Sequence, residues 1–382
     1  MKIGIVTYHR SHNYGAVLQA YALKTYLLSL GHIVEIIDYW PEYRKGMYDI
    51  IDFSFFKQPI PFFSKTKIAV REFVFYFPKK NRHQKFQRFI VENLGVDDTS
   101  SIITKGDKIE SIYEVYIFGS DQIWRNNKFK TFSGFDPVYW GKYPLGDSYK
   151  KITYAASMGE LNYKGQEAFI KEHLNYLNSI AVRESNLKEV LEQFTKKPVS
   201  QVLDPVFLLN RNDWESLIPQ RKSKGKSMGE KYLLFYQLNH SAVAKEFVNS
   251  LANSKNLRII EIKGEVKLVT NPKKTKQYAG PLDFLELFKN ASYIVSTSFH
   301  GVAFSIIFQK QFYALGMGNN SARVTSLLET LAIKDRYLTD ENIVATQFEK
   351  LSERTINYSD LNKNLEVQKA LSANYLKKAI TE

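Results

Sequence analysis

The chain has no cysteine. That excludes disulfides and thiolate metal sites, and it fits a reducing compartment. No apolar run reaches the ~20 residues that span a bilayer, and no spacing of His, Asp and Glu reads as a metal site. Neither a G-x-G-x-x-G fingerprint nor a phosphate-binding loop ending in Lys-Ser/Thr is present. Internal repeats and low-complexity tracts are absent as well. The opening Met-Lys-Ile-Gly-Ile-Val-Thr-Tyr reads as a strand start, too short in its apolar run for a signal peptide, so a cytoplasmic protein is expected.

Acids are the scarce charge: 39 Asp and Glu face 53 Lys and Arg, for a net charge of +14 over 382 residues. Such an excess favours anionic partners, whether nucleic acid, a phospholipid surface or phosphorylated substrates. It is uneven: between Tyr43 and Phe89 eleven basic residues face only Asp49, Asp52 and Glu72. Phe53, Phe55, Phe56, Phe62, Phe63, Phe73, Phe75, Tyr76 and Phe77 interleave with them, and Pro59, Pro61 and Pro78 divide them. The segment, about 43–90, reads as an excursion of short helices. It suits an anionic membrane surface, with Phe in the interface and Lys/Arg at the headgroups, or else a solvated basic face over an aromatic core. No nucleic-acid motif accompanies it, so no nucleic acid is expected.

The remaining 44% apolar composition fills two cores, and the length calls for two domains. Lys2–Thr7, a helix over Val17–Leu28 stopped by Gly31, and Ile33–Tyr39 form a βαβ opening with a parallel sheet. Strands are expected at Val115–Phe118, Lys151–Ala156, Ser179–Arg183 and Pro198–Leu203, with a helix over Lys164–Leu177. The polar stretch Asn210–Lys231 reads as a connection. A second α/β unit then runs through Tyr232–Leu238, Leu257–Ile262, a helix at Leu282–Asn290, Ile294–Thr297, Phe312–Leu315 and a helix at Val324–Leu331. The tail Asn362–Ile380 is a long amphipathic helix, expected to return to the first domain. The expected domains are 1–210 and 211–382.

Chemistry concentrates at strand ends. Ile294–Thr297 runs into Ser298-Phe299-His300-Gly301 and an apolar helix, which puts His300 where a strand meets a helix N-terminus. That position suits acid–base chemistry beside an anion. Asn13 and Gly15 in the first loop either hold an extended ligand or simply cap a helix. Gly119-Ser120-Asp121-Gln122-Ile123-Trp124 offers a carboxylate, an amide and an indole, a set that suits sugars, with Asp121 as a base for a hydroxyl. The alternative is Asp121 as an N-cap and Trp124 as core. Arg183-Glu184 is an anion ligand with its orienting partner, or a surface ion pair. Arg323 follows Gly316-Met317-Gly318-Asn319-Asn320, a loop able to bring N–H groups to a ligand or merely to cap the helix.

Taken in order, Asn13-Tyr14-Gly15-Ala16-Val17-Leu18-Gln19, Gly119 to Trp124, Val182-Arg183-Glu184-Ser185, Asp204-Pro205-Val206, Ser298-Phe299-His300-Gly301 and Arg323 before Leu327-Leu328 resemble the polysaccharide pyruvyl transferase family. The resemblance covers most of the chain. It implies an α/β fold of two Rossmann-like domains facing a cleft, similar to GT-B glycosyltransferases. It also implies phosphoenolpyruvate as donor, a sugar as acceptor and a pyruvate ketal as product, in capsular or exopolysaccharide synthesis. The acceptor is expected to be a lipid-linked or repeat-unit glycan, handled at the inner face of the cell membrane. No cofactor or metal is expected. On this reading His300 is the general acid and Asp121 the base. Arg183, Ser298, Phe299, Gly301, Asn320 and Arg323 lie on the donor side. Asn13, Tyr14, Gly15, Gln19, Ser120, Gln122 and Trp124 lie on the acceptor side. Many relatives have Arg two residues before the histidine; this chain has Ser298, so either Arg323 or a lysine supplies that charge or donor use differs. The rival readings are a GT-B glycosyltransferase using a nucleotide sugar and a non-catalytic glycan- or nucleic-acid-binding protein.

Overall fold

The computed structural model describes residues 1–51, 61–97, 102–146, 148–219, 231–238, 241–264, 266, 274–316, 318, 321–345 and 348–382. The first half holds β1 (Lys2–Val6), α1 (Tyr14–Ser29), β2 (Ile33–Ile36), α2 (Phe62–Phe89), β3 (Val115–Asp121), a small hairpin of β4 (Asn127–Lys128) and β5 (Ser133–Gly134), β6 (Lys150–Ala156), α3 (Glu167–Leu174), β7 (Ile180–Val182), α4 (Ser185–Leu191) and β8 (Val199–Gln201). After α5 (Arg211–Leu217) come β9 (Tyr232–Gln237), α6 (Ala242–Ser254), β10 (Arg258–Lys263), α7 (Pro281–Asn290), β11 (Tyr293–Ser296), α8 (Phe299–Ile307), β12 (Gln311–Leu315), α9 (Ala322–Thr330) and β13 (Tyr337–Leu338). Helices α10 (Asp340–Ala345), α11 (Phe348–Glu353) and α12 (Tyr358–Thr381) complete the chain.

The strands form two parallel sheets, ordered β2-β1-β3-β6-β7-β8 and β10-β9-β11-β12-β13. Central strands such as Tyr232–Gln237 and Tyr293–Ser296 are buried at every position, because helices cover both faces. That is why they read as continuous apolar runs. In each sheet the order reverses once, between β1 and β3 and between β9 and β11, and such reversals open crevices at the carboxyl ends of strands. The two doubly wound sheets and the returning last helix match the GT-B-like expectation. Tyr375 Oη on α12 donates to Thr153 O at 2.9 Å, and Leu203 N donates to Ser372 Oγ at 2.9 Å.

Helix α1 begins three residues before the expected Val17, because the Asn13 side chain accepts from Gly15 N at 2.9 Å and so caps it. It is buried nearly all round, between the first sheet and the second unit. The Tyr14 ring stacks on Phe284 at 4.7 Å, and its hydroxyl donates to Ala279 O at 2.9 Å. Arg82 on α2 reaches the same seam, donating to Gly264 O at 2.9 Å and to Tyr14 Oη at 2.9 Å. One hydrophobic core therefore runs through both halves.

The basic-aromatic excursion departs from expectation. In place of short helices, α2 is one helix of 28 residues with Pro78 inside it. An interior proline costs about 3 kcal/mol, and burial of Glu72 and Phe75 before it and of Arg82 and Phe86 after it holds both halves in place. On the other face, Phe63, Val70, Phe73, Val74 and Phe77 are exposed. Phe53, Phe55, Phe56 and Pro59 lie outside the described residues. No helix among the described residues is long and apolar enough to cross a membrane.

Candidate functional site

Both strand-order reversals open into one pocket of about 580 Å³. The first sheet contributes Tyr8, Asn13, Asp121 and Gln122; the second contributes Thr297, Ser298, Phe299 and His300, and Arg323 follows from α9. A smaller cavity of about 210 Å³ shares Phe299 and Arg323 with it and is also lined by Arg183 and Asp204.

His300 lies in the first turn of α8, which starts at Phe299, directly after the strand. Two glycines permit this placement. A Cβ on Gly301 would stand 2.0 Å from Ser296 Oγ, so only glycine lets α8 settle onto β11. A Cβ on Gly15 would stand 1.9 Å from His300 Nδ1, so only glycine lets α1 approach the imidazole. The role of Gly15 in this structure is contact with the histidine. Ser298 lies on the pocket wall and donates through its backbone N to Ser296 Oγ at 3.1 Å; its own side chain forms no cap bond.

Behind the imidazole lies Asp204, a residue quoted in the sequence motif but given no role there. His300 Nε2 is 3.4 Å from Asp204 Oδ2, and Arg183 Nη1 donates to the same oxygen at 2.5 Å. Ser120 Oγ reaches it at 3.3 Å, and Val206 N donates to Oδ1 at 3.1 Å. Burial alone would raise the Asp204 pKa, but the charges of Arg183 and His300 outweigh it and hold the group at about 2. Asp204 is therefore ionised at neutral pH, fixes the Arg183 guanidinium and stands beside the His300 imidazole. The signal in the sequence was an acid between a strand end and a proline.

Arg183 and Glu184 are 4% and 1% exposed, which overturns the surface-pair alternative. Glu184 is not the main orienting partner of Arg183: its Oε1 accepts from Ser157 Oγ at 2.6 Å, and its Oε2 stands 4.0 Å from Arg183 Nε. The Arg183 guanidinium lies 4.7 Å over the Phe299 ring, with Nη2 3.7 Å from Asp121 Oδ1. Its Nε and Nη2 make no hydrogen bond. Arg323 reaches the same ring from 5.9 Å. With the Gln122 amide turned so that its oxygen faces Arg323, that oxygen accepts at 2.6 and 2.8 Å. Burial and the neighbouring Arg183 lower the Arg323 pKa to about 10, still charged at neutral pH. Two arginines thus face three carboxylates, Asp121, Glu184 and Asp204. The cluster is no net cationic trap; it offers an anion directional N–H donors.

Asp121 is no helix N-cap: a turn follows it, and its side chain borders the pocket. Five acceptor-side expectations land away from the pocket wall: Gly15, which lies against His300, and four others. Tyr14 is enclosed in the seam between the halves. Trp124 is core, stacked 4.3 Å from Trp140 with Nε1 donating to Tyr139 O at 2.9 Å. Gln19 is fully buried: its Nε2 donates to Thr7 Oγ1 at 2.9 Å and its Oε1 accepts from Ser120 N at 3.1 Å, tying the ends of β1 and β3 together. Ser120 is buried between Ala155 O and Asp204. Asn13 and Gln122 do line the pocket, Asn13 while capping α1. Asn320 lies outside the described residues. Arg44, absent from the sequence-based list, lines the pocket as well.

Fold and site together define a two-sheet α/β protein whose cleft gathers a histidine, two buried arginines and an acid. The chain belongs to the polysaccharide pyruvyl transferase family, whose model matches residues 13–319. No curated protein matches the chain significantly. In overall course it is similar to UDP-GlcNAc 2-epimerases from Neisseria meningitidis (TM-score 0.46, 11% identity, 99% of this chain and 100% of that one) and from Methanocaldococcus jannaschii (0.47, 12%, 96% and 99%). It is also similar to a spinosyn rhamnosyltransferase (TM-score 0.39, 12% identity, 100% of this chain and 96% of that one).

Proposed function

We propose that this family member transfers the pyruvyl group of phosphoenolpyruvate to a glycan as a ketal. His300 gives a proton to the donor's methylene carbon, leaving an oxocarbenium-like centre at the adjacent carbon. An acceptor hydroxyl attacks that centre and Asp121 takes its proton. Phosphate then departs with the electron pair of its C–O bond, and a second hydroxyl closes the ketal while its proton goes to the departing phosphate. Arg183 and Arg323 offer N–H donors to the donor's carboxylate and phosphate. The observation that carries this reading is the convergence of His300, Arg183 and Arg323 around Phe299 beside a shared pocket. No cofactor enters the scheme.

The test is thermal stability against phosphoenolpyruvate and a panel of nucleotide sugars, in wild type and in Arg323→Gln. A ligand at ~100 times its Kd adds about 2.7 kcal/mol. Stabilisation by phosphoenolpyruvate that is lost in the variant is the expected result. Stabilisation by a nucleotide sugar alone would replace the proposal with a GT-B glycosyltransferase.

The acceptor on this proposal is a lipid-carried glycan of capsular or exopolysaccharide synthesis, met at the cytoplasmic face of the membrane. Support comes from α2. Its exposed line of Phe63, Val70, Phe73, Val74 and Phe77 is flanked by Lys67, Arg71 and Lys80, and its one acid, Glu72, is buried and paired with Lys79. Cosedimentation with phosphatidylglycerol vesicles, reduced by Phe73→Ser/Phe77→Ser, is expected. Equal recovery of wild type and variant would remove the membrane from the proposal.

A further inference from the structure

A second buried arginine lines the same pocket, and the reaction above gives it nothing to do. Arg44, in the short turn Glu42–Arg44, is 6% exposed. Its guanidinium lies 3.8 Å over the Tyr8 ring and within 5.8 Å of the rings of Trp40, Tyr43 and Phe129. The buried acid whose charge it feels, Asp136, is already engaged: its Oδ2 accepts from Tyr39 Oη at 2.9 Å and Tyr43 Oη at 2.8 Å, and its Oδ1 from Val138 N at 3.0 Å. Among the described residues no carboxylate forms an ion pair with Arg44, and its Nε is buried without a hydrogen bond. Removing a charge from water is costly, and aromatic faces return only part of that cost to a desolvated cation. The cage and the Tyr43 hydroxyl leave a planar, multi-donor cation with its Nε unsatisfied on the wall of a substrate-sized pocket. Arg125 and Lys128 line the same pocket and are exposed, so they add positive charge to the wall that carries Arg44.

We infer that this wall seats an anionic group of the acceptor, a phosphate or a carboxylate, apart from the donor's anions at Arg183 and Arg323. The inference rests on the pyruvyl-transfer reading for calling that ligand the acceptor. It makes the acceptor a charged sugar: either a glycan still bearing the diphosphate of its carrier, or one containing a uronic acid. A bidentate fork matches both groups, whereas the hydroxyls of a neutral sugar could accept from Arg44 without answering its charge.

The experiment titrates inorganic pyrophosphate, glucuronate, glucose and phosphoenolpyruvate separately into the full chain by calorimetry at fixed ionic strength. The proteins are wild type, Arg44→Gln and the double variant Arg125→Gln/Lys128→Gln. Pyrophosphate or glucuronate is expected to bind, the tighter of the two naming the source. Arg44→Gln is expected to weaken that ligand about tenfold or more and the double variant by about threefold, since charge-assisted fork contacts exceed exposed ones. Phosphoenolpyruvate affinity is expected to stay within about twofold in both variants, the donor contacts being untouched. The inference is overturned if neither anion binds, if Arg44→Gln binds as wild type does, or if Arg44→Gln loses phosphoenolpyruvate equally, which would make the wall the donor's seat. If Arg44→Gln does not fold by circular dichroism, the double variant decides: unchanged anion affinity there overturns the inference. Failure of phosphoenolpyruvate to bind wild type sinks pyruvyl transfer and leaves the anion seat to be judged on its own titrations.

Discussion

Arg183 and Arg44 are both buried cations on one cleft, and their burial is compensated in opposite ways. Arg183 is held by Asp204 at 2.5 Å, with Asp121 and Glu184 close by. Arg44 is held by aromatic faces, 3.8 Å from Tyr8 at the nearest, and by the Tyr43 hydroxyl, with no carboxylate in an ion pair to it among the described residues. A cation fixed by carboxylates is rigid and electrically balanced before any ligand arrives, which suits the positioning of a reacting molecule. A cation caged by rings has no carboxylate bonded to it, which suits holding a charged ligand that does not react. Burial alone does not reveal an arginine's job; its partner does.

The comparison breaks first at His300, which shares Asp204 with Arg183. His300→Ala is expected to lower pyruvyl transfer about 10²–10⁴-fold in a chain that still folds by circular dichroism; retained activity would remove the acid role. Next, Arg183→Leu leaves Asp204 buried and unpaired, and a loss of about 3–5 kcal/mol in urea unfolding is expected. Adding Asp204→Asn should recover much of it, because the orphaned charge is gone.

The pH dependence sharpens the same point. Asp204 sits at about 2 in the folded protein, below the ordinary carboxylate value. Its contribution is therefore present above about pH 4 and lost as pH falls toward 2. Acid titrations of stability should be steeper in that window for wild type than for Arg183→Leu. A smaller effect is expected for Gly15→Ala, whose Cβ would displace the imidazole from 1.9 Å. A rate loss of about 10–100-fold with unchanged phosphoenolpyruvate affinity would show that α1 positions His300. The smallest is Tyr375→Phe, remote from both arginines, with about 1 kcal/mol lost from stability and no change in either ligand's binding.

Much of the fold was legible because parallel strands covered on both faces must be apolar throughout, as Ile294 to Thr297 are. The proline reading failed at α2, where Pro78 reads locally as a breaker but tertiary contacts on both sides keep the helix whole. The site was legible at His300, where a strand ends in Ser-Phe-His-Gly. It was not legible at Asp204, whose role arises only when the loops after three strands converge. Trp124 and Tyr14 were placed on the wrong side of the wall because a ring beside polar residues carries no local mark of which way it faces. Arg44 was hidden in a segment that announced itself by net charge.

Helix α12 follows the whole second unit in the chain yet packs against β6 of the first, through Tyr375 and Thr153. During synthesis the patch of the first sheet around β6 leaves the ribosome without α12 over it, and it stays so while roughly half the chain is still being made. Until then that patch is open to non-native contacts, so a chain arrested before α12 is expected to aggregate more readily than the finished one.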